Sequence, residues 1–483
     1  MSEGPGGTPS EGTTDDAELA KLGYGQELLR AMGGFSTFAL SFSIISILTG
    51  ILTTFGDALG PGGPRGLGLG WPLASVGTLI VALALAELSS AFPTAGALYH
   101  WASLLGGPFP GFLTAQMNLV GQFAIVAAID LGFARELGAL LGLPPLPLFV
   151  ATLALHAAIN VASTRAVAKL NDLSAVVHIA GAVLIVGALF AFAELRPVSF
   201  LLEGGTNRDD GNEPTGFANA LILSFFTFTG YDASAHVAEE THDPARRSPL
   251  GILSAVIVSA VFGYLLAATL TLSIRDLPGA RADDHAALFV LRGALGPSGG
   301  ALGMGVALVA MWFCGLSSLT SASRTLYAFA RDGGVPFSSF ISKVSARMTP
   351  IGAIVTSAGV SLLFVLVSSA LHTRVFAFSV QVATMGLYVS YGLPVALSGY
   401  ARARGALTKR GPFHLGRASV PIAFGASVYC AFVIVVASLP PNVTAGGVLL
   451  AVAALLTAVW LVRVRHTFRG PKVRLADLEP PRA

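Results

Sequence analysis

Charge is scarce in this chain. Only 11% of its 483 residues are Asp, Glu, Lys or Arg, against about 25% in ordinary soluble domains. Hydrophobic residues make up 53%, and mean hydropathy is +0.72. So few charges cannot cover a water-exposed globular surface, which implies an integral membrane protein. Cysteine is scarcer still. Cys314 and Cys430 are the only two, both inside apolar runs, which excludes a disulfide framework and paired metal-ligand spacing. There is no P-loop, no HExxH and no GxSxG. ATP-driven pumping and membrane hydrolysis are therefore unsupported, and neither enzyme activity nor a cofactor or metal is expected. The net charge of +3 sits in loops and tails and marks no nucleic-acid surface. The polar first 30 residues lack a basic n-region followed by an apolar h-region, so they do not read as a cleaved signal peptide.

What is present is a series of apolar runs of about 20 residues, the length that spans a bilayer. Twelve are expected, over 34–56, 71–92, 109–134, 146–163, 173–195, 216–238, 250–274, 299–330, 350–371, 374–400, 419–438 and 443–463. The predicted fold class is all-α integral membrane. Its organisation is a tail 1–32, five spans in 33–195, a loop 196–215, five spans in 216–400, a basic loop 401–418, two more spans in 419–463 and a tail 464–483. Both tails read as solvated. With the N-terminus inside, 21 of the 29 Lys and Arg residues fall on or beside the inner segments and 8 on the outer ones. That bias predicts cytoplasmic termini. Arg402, Arg404, Lys409, Arg410 and Arg417 crowd one inner loop, while Glu203, Asp209, Asp210 and Glu213 populate the loop predicted outside.

Two spans, the first and the sixth, are interrupted in matching places. The first reads Ala39-Leu-Ser-Phe-Ser-Ile-Ile-Ser-Ile-Leu-Thr-Gly50, the sixth Ser224-Phe-Phe-Thr-Phe-Thr-Gly-Tyr-Asp-Ala-Ser-Ala-His236. Paired broken spans in two halves point to a mid-membrane binding site of a secondary transporter, because unwound backbone survives there only where it is buried or lines a cavity. Gly230 frees the backbone to leave the helix, and Asp232 suits the N-cap of a following half-helix. Carbonyls ending one half-helix suit an ammonium, and N–H groups opening the next suit a carboxylate. A packing glycine with a capping aspartate is the bland alternative. In the first span Ser43-Ile44-Ile45-Ser46 is the expected break; serines in membrane helices also bond preceding carbonyls with no further role.

His178 lies within an otherwise apolar fifth span, where an ionisable group is by default a functional hypothesis and an imidazole is suited to carrying a proton. A neutral histidine bonded across helices is the competing reading. Glu87 and Asp130 sit near span ends as gate or interface residues. His156 and Asn160, one turn apart, suit interhelical hydrogen bonding, and His236 is expected at the cytoplasmic mouth.

Phe225 to Thr241 (FFTFTGYDASAHVAEET) resembles the sixth-helix signature of permeases in the amino acid–polyamine–organocation superfamily. Ala86 to Trp101 resembles the signature after helix two, Ser321 to Pro336 the one ending helix eight, and Gly411 to Arg417 suggests the amino acid/choline branch that includes GABA permeases. Together they cover about residues 30–465. The resemblance implies a leucine-transporter-like five-plus-five inverted repeat with two extra helices. It implies substrate contacts on Ser43, Ile44, Ile45 and Ser46, though the family's Gly-Ser/Thr-Gly run is absent there, and on Phe228, Thr229, Gly230, Tyr231 and Asp232. His178 falls where some proton-coupled relatives place a lysine in place of a sodium ion. Glu87 with Phe92-Pro93-Thr94 falls at the cytoplasmic gate.

The expected function is a proton-coupled permease that moves an amino acid or related amine across the cytoplasmic membrane by alternating access. Sodium coupling, with Ser317 and Ser318 as oxygen ligands, or exchange on the same fold is the alternative. A receptor or channel is more distant: the tails are too short for a sensor domain, and no charged ring marks a pore.

Overall fold

Apolar runs that must satisfy every backbone group internally fold as helices, and the computed structural model, described for residues 11–204, 213–371 and 374–478, is all-α apart from one isolated bridge between Met32 and Thr241. Residues 1–10 of the N-terminal tail, Asp209 and Asp210 of the 196–215 loop and the last five residues lie outside the described residues. Among the described residues, eleven helices are long and apolar enough to cross a membrane. The sixth span is the exception to the expected twelve. Its helix Glu213–Thr227 has an apolar stretch of only Thr215–Thr227, because the chain unwinds immediately afterwards.

The first span is two helices, Gly34–Ile45 and Ile47–Gly68, hinged at Ser46. The others are Gly70–Ala91, Pro108–Leu141, Pro145–Ala162, Thr164–Phe192, Pro244–Leu272, Ala286–Arg331, Ile351–Leu371, Val375–Ala403, Ser419–Ala437 and Val443–Val459. Several outrun the apolar pattern. The eighth begins at Ala286, not 299, because Gly296, at φ +78°, kinks one helix onto another ahead of Pro297. Below, the end that carries the N-terminal segment is called proximal and the other distal.

Neither tail is simply solvated. Helix Glu11–Lys21 buries Leu19, and Leu22, Tyr24, Leu28 and Met32 behind it are buried too. In the other tail Phe468 is buried against Tyr99, Phe112, Phe329 and Trp460. Both tails carry apolar side chains at a spacing too sparse to stand out from a polar background, and both cover the proximal end.

The two ends differ in packing. At the distal end a cavity of about 690 Å³ opens among Thr54, Asp57, Arg65, Asn219, Leu223 and Gln381. A second of about 510 Å³ lies beside it around Asp57, Arg135 and Arg374. Leu223 is five residues from Phe228, or about 7 Å along a helix. The proximal end is packed. Arg331 forks both oxygens of Glu239 at 2.8 and 2.9 Å, and Arg324 meets Glu240 at 2.7 Å. Ala31 and Met32 donate their amides to the Glu240 carbonyl, each at 2.9 Å. Tyr24 and Tyr99 both donate to Asp332 at 2.7 Å. Burial still holds that carboxyl above its usual range.

Candidate functional site: two broken spans and their proximal closure

Ser46 is the whole of the first break. Its φ of +38° is left-handed, which an L-residue adopts only at a cost of about 1–2 kcal/mol, and it closes one helix and opens the next. Its hydroxyl accepts from the Thr49 amide at 3.3 Å as an N-cap and lies 2.6 Å from His178 Nε2. His178 Nδ1 donates to the Ser174 carbonyl at 2.8 Å, since a carbonyl only accepts. A neutral ring therefore completes both bonds of His178: Nδ1 donates, and Nε2 accepts from Ser46. Ser43 also turns to the fifth span, donating to Ser174 Oγ at 2.7 Å.

The second break is longer. Helix ends at Thr227, Phe228 to Asp232 are irregular, and Ala233–His236 resumes as a single turn. Gly230 has φ +90°, and a Cβ there would lie 2.1 Å from Ile44 Cγ2. Only glycine meets both demands, so Gly230 is where the second break meets the half-helix that ends at the first. Ser41 extends the contact by donating to the Tyr231 carbonyl at 2.8 Å and accepting from the Ser234 amide at 2.9 Å. Phe228 packs on Trp71 with ring centroids 4.7 Å apart. Tyr231 packs on Tyr391 at 5.1 Å.

The expected contact segments Ser43 to Ser46 and Phe228 to Asp232 are thus brought side by side, through Ile44 and Gly230. Asp232 does not act as expected. It stands at the N-cap position in helical conformation with no side-chain cap bond. Its carboxylate turns instead to Tyr391, whose hydroxyl donates to Oδ1 at 2.7 Å, and to His236 Nε2, 3.0 Å from Oδ2. His236 is fully buried rather than open to a mouth.

Other sequence expectations resolve as follows. Glu87 is buried and accepts from the Leu415 amide at 3.0 Å and Ser419 Oγ at 2.7 Å, with Arg402 at 3.4 Å. It ties span two to the basic loop and span eleven, while the ion pairs beneath the breaks belong to Glu239 and Glu240. Asp130 is fully buried, 3.2 Å from His156 Nδ1 on the next span. Asn160 makes the expected interhelical bonds, donating to the Leu316 carbonyl at 3.4 Å and accepting from Thr320 at 2.8 Å. Ser317 donates to Asn171 Oδ1 at 2.8 Å or to the Phe313 carbonyl at 2.9 Å. The Ser318 hydroxyl is buried beside Cys314 and has no oxygen or nitrogen partner among the described residues.

Sequence reasoning missed Tyr391, Glu239, Glu240, Arg324 and Arg331. Arg324 was visible as an arginine within an apolar span. Glu239 and Glu240 stand in the quoted sixth-span motif. Tyr391 carries no signal, because a tyrosine in an apolar run reads as packing.

The sequence model described as amino acid permease matches residues 32–460. An amino-acid permease BAT1 homolog from Oryza sativa subsp. japonica is 34% identical, the alignment covering 96% of each chain. Amino-acid permease BAT1 of Arabidopsis thaliana is also 34% identical, over 94% of this chain and 95% of its own. A GABA-specific permease of Saccharomyces cerevisiae is 26% identical, over 89% and 79%.

Proposed function

The chain belongs to the amino acid permease family and is a multi-pass membrane transporter; from that premise we propose that it carries an amino acid by alternating access, coupled to protons. The observation that carries this reading is the seating of Gly230, in the second break, against Ile44, two residues before the hinge Ser46 of the first. Unwound backbone from two spans, buried and on the span whose Leu223 lines the distal vestibule, suits the ammonium and carboxylate of an amino acid. The distal vestibule over a packed proximal end suits one half of an alternating cycle. The excess of Lys and Arg on the proximal loops orients that end to the cytoplasm, so the substrate enters from outside.

Proton coupling is supported by His178, a titratable ring bonded to the hinge residue Ser46. Sodium is the second reading, favoured by one observation: the Ser318 hydroxyl is buried beside Cys314 with no oxygen or nitrogen partner among the described residues. Purified protein in proteoliposomes separates the two. Accumulation of radiolabelled amino acid is expected to follow an imposed pH gradient and to ignore a sodium gradient. Accumulation that needs sodium at equal pH on both sides sinks the proton reading. Absence of amino acid uptake or exchange under both gradients sinks the substrate reading as well. His178→Gln tests whether that ring carries the proton.

A further inference from the structure

The last span runs straight into a basic segment. Arg463, Arg465, His466, Arg469, Lys472 and Arg474 fall within a stretch of twelve residues, and all six are exposed. Among the described residues, none of these side chains pairs with a carboxylate. Arg465 has only the neighbouring ring of His466, at 3.1 Å. Asp477, the nearest acid, accepts from the Arg474 amide at 3.0 Å and leaves the guanidinium alone. The arginines that end span eight are different: Arg324 is taken by Glu240 and Arg331 by Glu239.

Position says what these cations face. Leu450, Leu455 and Val459 are exposed along the last span, and Leu461 and Val462 continue the same apolar surface at 52% and 80% exposure. On a spanning helix such a surface faces acyl chains. Arg463 is the very next residue. The change from bare apolar side chains to charge therefore falls where acyl chains give way to headgroups. Trp460 marks the same level, since tryptophan gathers at that boundary; it packs on Phe109 and Phe112 with centroids 5.4 Å apart in each case. Lys and Arg stems lie along apolar surface while their heads reach polar groups. Four to eight such residues just beyond a span bind anionic headgroups. A soluble acidic partner fits less well, because Arg463 adjoins Val462 at the bilayer itself.

One side chain of the segment turns the other way. Phe468 is 2% exposed and sits among Tyr99, Phe112, Phe329 and Trp460. Tyr99 belongs to the loop helix Ala97–Gly106 after span two, and Phe329 to the end of span eight. Both belong to the proximal closure. Further on, Val473 seats on the other tail: a Cβ on Gly23 would lie 2.9 Å from Val473 Cγ2. The residue after Gly23 is Tyr24, which shares Asp332 with Tyr99. Cations thus flank the anchor on both sides and face outward while the anchor faces in. A headgroup layer on the cations covers Phe468 without competing for its socket.

We propose that segment 463–474 is a docking surface for anionic phospholipid headgroups, and that lipid bound there holds Phe468 and Val473 in place over the closed proximal end. The surface is separate from the two breaks and serves whichever solute and ion they take. Its effect follows from linkage. When Tyr99 and Phe329 part, Phe468 loses its socket and the flanking cations lose their common plane. Anionic lipid binds the seated tail better than the unseated one, and it favours proximal closure by that difference.

The test places the full chain in nanodiscs of phosphatidylcholine, with or without phosphatidylglycerol, and follows hydrogen exchange in 463–474 and in Ala97–Gly106. In the parent, phosphatidylglycerol is expected to slow exchange in both by about fivefold or more, the effect of a single Lys or Arg near an anionic surface. High salt should reverse it. Replacing Arg463, Arg465, Arg469, Lys472 and Arg474 together by Gln should abolish the lipid effect and leave exchange in phosphatidylcholine unchanged, because these side chains are exposed. A parent indifferent to phosphatidylglycerol overturns the proposal and leaves the cations to an acidic soluble partner. A lipid effect that persists in the Gln variant also overturns it and moves the site to another basic face, such as Arg404 and Arg410. Phe468→Ala tests the link to the closure. It should still retain phosphatidylglycerol in native mass spectrometry but lose the lipid effect at Ala97–Gly106; an undiminished effect there overturns the link. If either variant fails to fold, the parent compared across the two lipids and across salt still decides whether anionic headgroups hold the tail.

Discussion

The two breaks face each other but are built in opposite ways. The first is a single left-handed residue whose satellites are hydroxyls and a histidine complete as a neutral ring. The second is five residues long and carries a carboxylate, a tyrosine hydroxyl and a histidine between that carboxylate and the Ala95 carbonyl. A one-residue hinge gives the half-helix Gly34–Ile45 a single pivot. A five-residue gap exposes more backbone and places ionisable groups within reach of it. The contrast teaches that backbone recognition and ion linkage need not be shared equally between two halves of one site. The first break is one hinge residue, and the second a longer gap that gathers the ionisable groups.

The strongest way to break this comparison is to fill the second gap. Gly230→Leu puts a side chain where even a Cβ meets Ile44 at 2.1 Å, on a backbone at φ +90°. Strain at such a position costs on the order of 1–3 kcal/mol, which a membrane protein of this size can survive. The displaced first break is the larger effect. A shift of about 1 Å at a reacting or binding centre loses roughly 10²-fold. Substrate-induced thermal stabilisation should vanish, with membrane insertion and monodispersity retained. Binding at the parental affinity would remove Gly230 from the site.

A smaller change sharpens the comparison by stripping one group from the second break. Tyr391→Phe keeps the ring packed on Tyr231 but removes the hydroxyl that bridges the Gly230 amide and Asp232. Each buried polar group left unpaired costs about 1–3 kcal/mol. A lower thermal midpoint is expected, and weaker substrate binding with it. If stability falls but affinity does not, Tyr391 serves the break's architecture and takes no part in recognition.

How far these features could be read in advance follows the same division. The spans, the paired breaks and Gly230 were legible, because length, apolarity and a glycine amid a polar run are local signals. Ser46 was legible as part of a polar interruption but not as the sole hinge, since its left-handed φ depends on Thr49, three residues on, and His178, 132 residues on. Asp232 looked like a cap from its neighbours Ala233, Ser234 and Ala235. What turns it away is Tyr391, 159 residues further along. The proximal closure was hidden for a related reason. Its acids follow the sixth span and its bases end the eighth, and neither predicts the pairing alone. The tails misled because a few apolar residues among polar ones, such as Tyr24, Leu28 and Phe468, find partners only in three dimensions.

The finest distinction concerns the hinge itself. Ser46→Ala and Ser46→Gly both delete the hydroxyl, so both leave His178 Nε2 and the Thr49 amide without their partner. They differ in one respect. Alanine keeps a Cβ at φ +38°, with a penalty of about 1–2 kcal/mol. Glycine removes that penalty but enlarges the unfolded ensemble, which costs about 0.4–1 kcal/mol. The two terms nearly offset, so Ser46→Gly should be equal to Ser46→Ala in stability or better by about 1 kcal/mol. If strain at Ser46 fixes the pivot, glycine should also loosen it and alanine should not, so hydrogen exchange in Gly34–Ile45 should rise in the glycine variant alone. Equal exchange in both variants would mean that packing of that half-helix against spans five and seven, and not the dihedral of one serine, holds the first break in place.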